Sequence, residues 1–167
     1  MLYSGKFLML GTLALSVLLT AASTRAADPL ANIRYLVGNW SCVSKSAEGA
    51  ENSKASFRTT FAPNVLAYAF EAPDYSATGY LGYDSKTHRY FDVYSDLFGG
   101  TARETAVATS GAQLTFAGMG QYDAKPFAVR ETITHIGAKM EDRSEMQTRK
   151  TWTLQADSTC SRSPAKM

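Results

Sequence analysis

The sequence predicts an all-β fold, a closed antiparallel up-and-down barrel of about ten strands behind a short N-terminal helix. Three observations carry this. From Asn39 onward, apolar and polar residues alternate in short runs, as in an antiparallel sheet wetted on one side. The runs are linked mostly by about two to six turn residues, with no second helix of useful length, and consecutive hairpins lose their exposed edges only if the sheet closes. Finally, Leu36-Val37-Gly38-Asn39-Trp40-Ser41-Cys42-Val43 joins an apolar segment to a strand through a glycine, which would set Trp40 at the floor of such a barrel.

Residues 1–26 read as a secretory signal peptide: Lys6 supplies the positive start, residues 7–20 are apolar and uncharged, and Thr24-Arg25-Ala26 is a small-x-small cleavage pattern. At about 14 residues the apolar run is short of the roughly 20 needed to span a bilayer, so no integral membrane span is expected after cleavage. No cysteine lies near the cleavage point, which argues against a lipid anchor. The expected location is periplasmic or secreted. Residues 27–167 then form a single domain, long enough for one core. Without Lys6 and Arg25 the 17 basic side chains fall to 15, matching the 15 acidic ones. A neutral domain lacks the clustered positive field that nucleic-acid binding needs.

Asp28 as N-cap and Pro29 at the first helical position begin the helix, and Leu30, Ile33, Tyr35, Leu36 and Val37 give it an apolar side to lie across one barrel end. Gly38 ends it. Trp40 and Cys42 share a face of the first strand, and the polar residues 46–54 read as a hairpin loop. In residues 55–61 Phe57, Thr59 and Phe61 share a face. In 65–71 Leu66, Tyr68 and Phe70 do so. Residues 78–83 form the next strand, and 84–88 turn into 89–95, where Phe91 and Val93 lie opposite Tyr90, Asp92 and Tyr94. Strands at 101–108 and 113–117 follow. Residues 127–136 set Phe127, Val129, Glu131, Ile133 and His135 on one face. Segments 139–148 and 150–155 complete the set, with Trp152 and Leu154 facing together.

In a closed barrel the first and last strands are neighbours, so Cys42 and Cys160 can meet despite their separation. In an exported chain they are expected to form a disulfide.

Gly38-Asn39-Trp40 after a short helix resembles the Gly-x-Trp signature of the calycins, which include lipocalins and fatty-acid-binding proteins. The run Gly79 to Asp84, then Phe98 to Gly100, Arg130 to Thr132, Trp152 and Cys160 resembles a bacterial family of small exported barrels of unknown function. The resemblance spans roughly residues 28–162. It implies a lipocalin-like barrel and carries over no activity. Arg149 or Arg162 could stand for the lipocalin arginine near the last strand.

Such a barrel either fills with side chains or encloses one small ligand. The ligand-lining candidates are Trp40, Phe57, Tyr68, Phe91, Phe116, Phe127 and Trp152. Glu131, His135 and Asp142 are charged or ionisable residues on apolar faces, a candidate spot for a ligand head group with Arg143 or Arg103 as cation at the rim; the other reading makes them surface charges. Glu131 and His135 would stand about 13 Å apart along their strand. A turn centred on Gly137-Ala138 pairs Met140 with His135 and Asp142 with Ile133. The tyrosines Tyr75, Tyr80, Tyr83, Tyr90 and Tyr94 form either an aromatic rim or outer-face packing. No metal-ligand spacing, nucleophile elbow or phosphate loop occurs, so no metal or cofactor is expected and an enzyme active site is unsupported, an enzymatic role being the third reading. The function expected is binding or carrying a small apolar molecule or lipid inside the barrel. The alternative is an envelope protein with a filled barrel that acts through its outer surface.

Overall fold

The computed structural model describes residues 28–164; the expected signal peptide at 1–26 lies outside the described residues. Ten antiparallel strands run β1 Gly38–Ser46, β2 Gly49–Thr59, β3 Val65–Ala72, β4 Tyr75–Asp84, β5 Arg89–Asp96, β6 Thr101–Ser110, β7 Gln113–Tyr122, β8 Lys125–Ile136, β9 Lys139–Thr148 and β10 Thr151–Arg162. Each pairs with its sequence neighbours, and β10 returns to β1, closing the barrel. The expected closed ten-strand antiparallel barrel is therefore the observed one. The N-terminal helix is less than expected: it is a single 3-10 turn, Arg34–Leu36. Asp28 still caps the segment, its carboxylate accepting from the Leu30 N–H at 3.0 Å and pairing with Arg34.

This short segment plugs one end. Leu30, Ile33, Leu36 and Trp40 are all essentially inaccessible. The Trp40 indole N–H donates to the Leu36 carbonyl at 2.8 Å. Arg162 lies 4.2 Å over the Trp40 ring and donates to the Tyr35 and Val37 carbonyls, so β10 ties the plug down. A cation over a tryptophan face with fixed carbonyl acceptors holds both elements in place. Gly38 sits at φ +130°, and a Cβ there would collide with the Arg162 guanidinium.

Cys42 pairs with Cys160 directly across the β1–β10 seam, and the two are disulfide-bonded. Beside them the hydroxyl of Ser44 is hydrogen-bonded to Ser53 at 2.7 Å and to Ser158 at 2.8 Å, all three buried. Residues 46–54, expected as a loop, are mostly strand: only Ala47 and Glu48 separate β1 from β2. Polarity there reflects outward-facing positions and the buried Ser53, so composition alone mimics a loop. The β8–β9 hairpin has the expected register, with His135 opposite Met140 and Ile133 opposite Asp142.

Two facings differ from expectation. Asp92 and Tyr94 line the interior, so Phe91 and Val93 alternate outward; the Phe91 ring lies over Gly82 on the outer surface. In β10 a register shift between Leu154 and Ala156 reverses parity, since one extra residue swaps the two faces. Ala156, Ser158 and Cys160 point in, while Trp152 points out beneath Arg130, 4.7 Å from its guanidinium. Phe61 lies past the end of β2, fully exposed.

The disulfide closes a 118-residue loop. In the chain-entropy account its removal costs about 4 to 5 kcal/mol. Cys42→Ser with Cys160→Ser is expected to lower the urea midpoint strongly, with added reductant doing the same to the wild type and nothing further to the double variant.

Candidate functional site

The interior holds an unusual set of charges. On β5, β6, β8 and β9 the inward positions read Tyr90-Asp92-Tyr94, Ala102-Glu104-Ala106, Val129-Glu131-Ile133 and Met140-Asp142-Ser144. Register brings these levels together: Asp92 is opposite Glu104, Glu131 is opposite Ser144, and Asp142 is opposite Ser158. Asp92, Glu104 and Glu131 each offer a carboxylate oxygen within 4.8 Å of the others. Asp142 lines the same cavity.

The cavity has a volume of about 140 Å3. Its walls include Phe57, Phe70, Leu81, Val129, Ile133 and Met140 beside the four acids, Tyr68, Tyr75 and Tyr94. Tyr68 donates to both oxygens of Asp92 at 3.0 Å. Its reach depends on Gly79, the facing residue of β4: a Cβ there would sit 2.7 Å from the Tyr68 Cζ and hydroxyl oxygen. Asp92 is 2% exposed and Glu104 1% exposed. Both Glu104 oxygens and Oδ1 of Asp142 are buried without a hydrogen-bond partner among the described residues. What accessible surface Glu131 and Asp142 keep borders the cavity.

Among the described residues no Lys, Arg or His lines this cavity. Arg103 and Arg143, the cations expected at its rim, both face outward: Arg103 alternates with the inward Glu104, and Arg143 is paired with Glu145 at 3.1 Å. The acids are therefore uncompensated, and burial disfavours their charged forms. Burial, then the Asp92 and Asp142 charges, raises Glu104 to about 8. Burial raises Asp92 to about 7 against the opposing Tyr68 hydrogen bond, and Asp142 to about 6 against that of Glu131. Burial with the surrounding carboxylates pushes Glu131 well above its ordinary range. Tyr75 rises to about 12 and Tyr94 rises strongly, both by burial first.

The sequence-level candidates separate into three groups. Phe57, Tyr68, Glu131 and Asp142 line the cavity. Trp40 and Phe116 point inward but lie in the packed core, fully buried. Phe127 also points inward, with its ring against Gly120, without lining the cavity. His135 is stacked on Tyr35 at the plugged end, 4.0 Å between ring centroids, away from the cavity lining. Phe91 and Trp152 lie on the outer surface. Sequence reading missed Asp92 and Glu104. The signal was present: Ala102-x-Glu104-x-Ala106 puts the glutamate on a strand's small-residue face, and Asp92 shares a face with two tyrosines.

Strand directions set which loops lie opposite the plug. The plug covers the end where β1 starts. The loops 47–48, 73–74, 97–100, 123–124 and 149–150 gather at the opposite end. There Tyr75 packs against Phe70 at 6.0 Å and Phe98 at 6.4 Å, with Leu97 and Phe98 mostly exposed. The five tyrosines do not form one rim. Tyr75 and Tyr94 line the cavity, Tyr80 is exposed, Tyr83 packs edge-on to Tyr90, and the Tyr90 hydroxyl donates to the Pro29 carbonyl in the plug.

No family model matches this chain, and no curated protein matches it in sequence.

The raised carboxyl pKa values fix the sign of a pH effect. The folded state holds these protons more tightly than the unfolded chain, whose carboxyls titrate at about 4. Their contribution to stability is full below that value and is lost as pH rises through the folded values, up to about 8 for Glu104. The melting temperature is expected to be higher at about pH 5 than at about pH 9. Glu131→Gln and Glu104→Gln are expected to flatten that slope, as measured by thermal melts followed by circular dichroism.

Proposed function

We propose that this is an exported calycin-type barrel that binds a small molecule in its interior. The observation carrying this reading is the cavity itself, an apolar lining interrupted by convergent polar groups, with Phe70 and Tyr75 packed together at the end opposite the plug. Pockets with a few placed polar groups in an apolar lining are the usual form of small-molecule sites. At about 140 Å3 the cavity is below the roughly 300 Å3 lower bound of sites for drug-sized molecules, which favours a compact ligand over a long acyl chain. The calycin reading is supported by the Gly38-Asn39-Trp40 floor and by Arg162, rather than Arg149, lying over Trp40. Export is supported by the Cys42–Cys160 bridge, which persists in oxidising compartments. A barrel filled throughout and acting by its outer surface would leave no such cavity.

Indole, a compact neutral aromatic, serves as a first probe. In methyl-detected NMR it is expected to shift the signals of Leu81, Val129, Ile133 and Met140. Ala156→Phe, which narrows the cavity wall, is expected to abolish those shifts while the variant remains folded. Shifts confined to outer-face methyls, or none at all, would count against an interior site.

A further inference from the structure

We infer that the molecule held in this cavity carries a protonated amine, seated against Glu104, Asp92, Glu131 and Asp142 with its hydrocarbon body on Leu81, Val129, Ile133 and Met140. This rests on the interior-binding reading above and names the ligand's chemistry.

The cavity lacks a positive partner for its acids among the described residues. Four carboxyl groups border it and no basic side chain does among the described residues. The other ionisable groups lining the cavity are phenols, Tyr68, Tyr75 and Tyr94, and the partly buried Tyr35 phenol senses the Asp142 charge; none offers positive charge, and His135 lies on Tyr35 outside the lining. Glu104, almost fully buried, presents two oxygens with no donor, and Asp142 presents one. Buried acceptors left unpaired are costly, so a missing donor is the informative feature of the site. An ammonium group has three donors and no acceptor, the complement of oxygens that only accept when ionised. A hydroxyl offers one donor. A carboxylate or phosphate head would add like charge to the ionised members of the cluster, which disfavours fatty acids and phospholipids.

A divalent cation is the competing occupant, since the three clustered oxygens are close enough to share one. Calcium needs about six to eight oxygen ligands, and magnesium keeps several waters. Apart from the acids, three tyrosines and the hydroxyls of Ser144 and Ser158, the lining is apolar, with Leu81, Val129, Ile133 and Met140 next to the acids along and across the strands, which suits a hydrocarbon body better than a hydrated ion. Charge balance agrees. Burial lifts Asp142 to about 6, Asp92 to about 7 and Glu104 to about 8, so part of the cluster is ionised near neutrality and an ammonium drives a further proton off to solvent as it seats.

Calorimetric titration of the mature protein with 2-phenylethylamine, its neutral isostere 2-phenylethanol, phenylacetate and manganese chloride separates the outcomes. The amine is expected to bind at one equivalent, at least about tenfold more tightly than the alcohol, with phenylacetate not binding. Glu104→Gln is expected to bring the amine-to-alcohol ratio within about threefold. Repeating the amine titration in buffers of different ionisation enthalpy is expected to show net proton release, absent with the alcohol, and needs no variant. Equal affinities for amine and alcohol would overturn the amine inference and leave interior binding standing. Failure of all the organic probes would overturn both. One equivalent of manganese that blocks the amine would reassign the cluster to a metal ion and overturn the inference.

Discussion

Backbone pairing of β1 with β10 is the contact on which the remaining structure depends. Six register positions join these strands, from Trp40 opposite Arg162 to Lys45 opposite Asp157. Without them the sheet would have two unpaired edges and no interior, and period-2 alternation would only mean one wet face and one dry face. With them, inward positions from ten strands face one another across a lumen. The bridge at Cys42 and Cys160 and the stack of Arg162 on Trp40 both fasten this seam, one covalently and one through the plug.

Closure also explains how four interior acids are tolerated. Each costs free energy when charged, and among the described residues none is offset by a cation. The cost is limited by keeping protons on the cluster, by the Tyr68 hydroxyl on Asp92, and by the constraint that the disulfide places on the unfolded chain. A core built only for stability would place apolar side chains at Asp92, Glu104, Glu131 and Asp142. Local violations of sound packing that are supported elsewhere in a fold tend to mark sites of function.

Much of this architecture is legible in the sequence because two of its determinants are local or arithmetical. Alternation with short turns specifies hairpins, and two cysteines near the chain ends specify a seam once closure is assumed. The β8–β9 register follows from the turn at Gly137. What escapes is parity. Reading apolar residues as inward turns β5 the wrong way, because this lumen is polar at Asp92 and the outer surface keeps Phe91. Trp152 escapes for a different reason: the irregularity between Leu154 and Ala156 shifts the faces by one residue, and no composition signal marks it. Glu131 and Asp142 were recoverable because they interrupt apolar faces, whereas Glu104 sits among alanines, where a small-residue face reads equally as surface.

Inside the closed barrel no cation among the described residues reaches the acids, and burial lifts Glu104 to about 8 and Glu131 well above its ordinary range, so a protonated carboxyl is expected in the cluster at neutral pH. Infrared spectroscopy of the ligand-free protein reads this most directly, through the carbonyl stretch of protonated carboxyl groups. A protonated-carboxyl band present at neutral pH and reduced in Glu131→Gln and Glu104→Gln is the result the account requires. A spectrum with only carboxylate bands at neutral pH, unchanged by those substitutions, would contradict it.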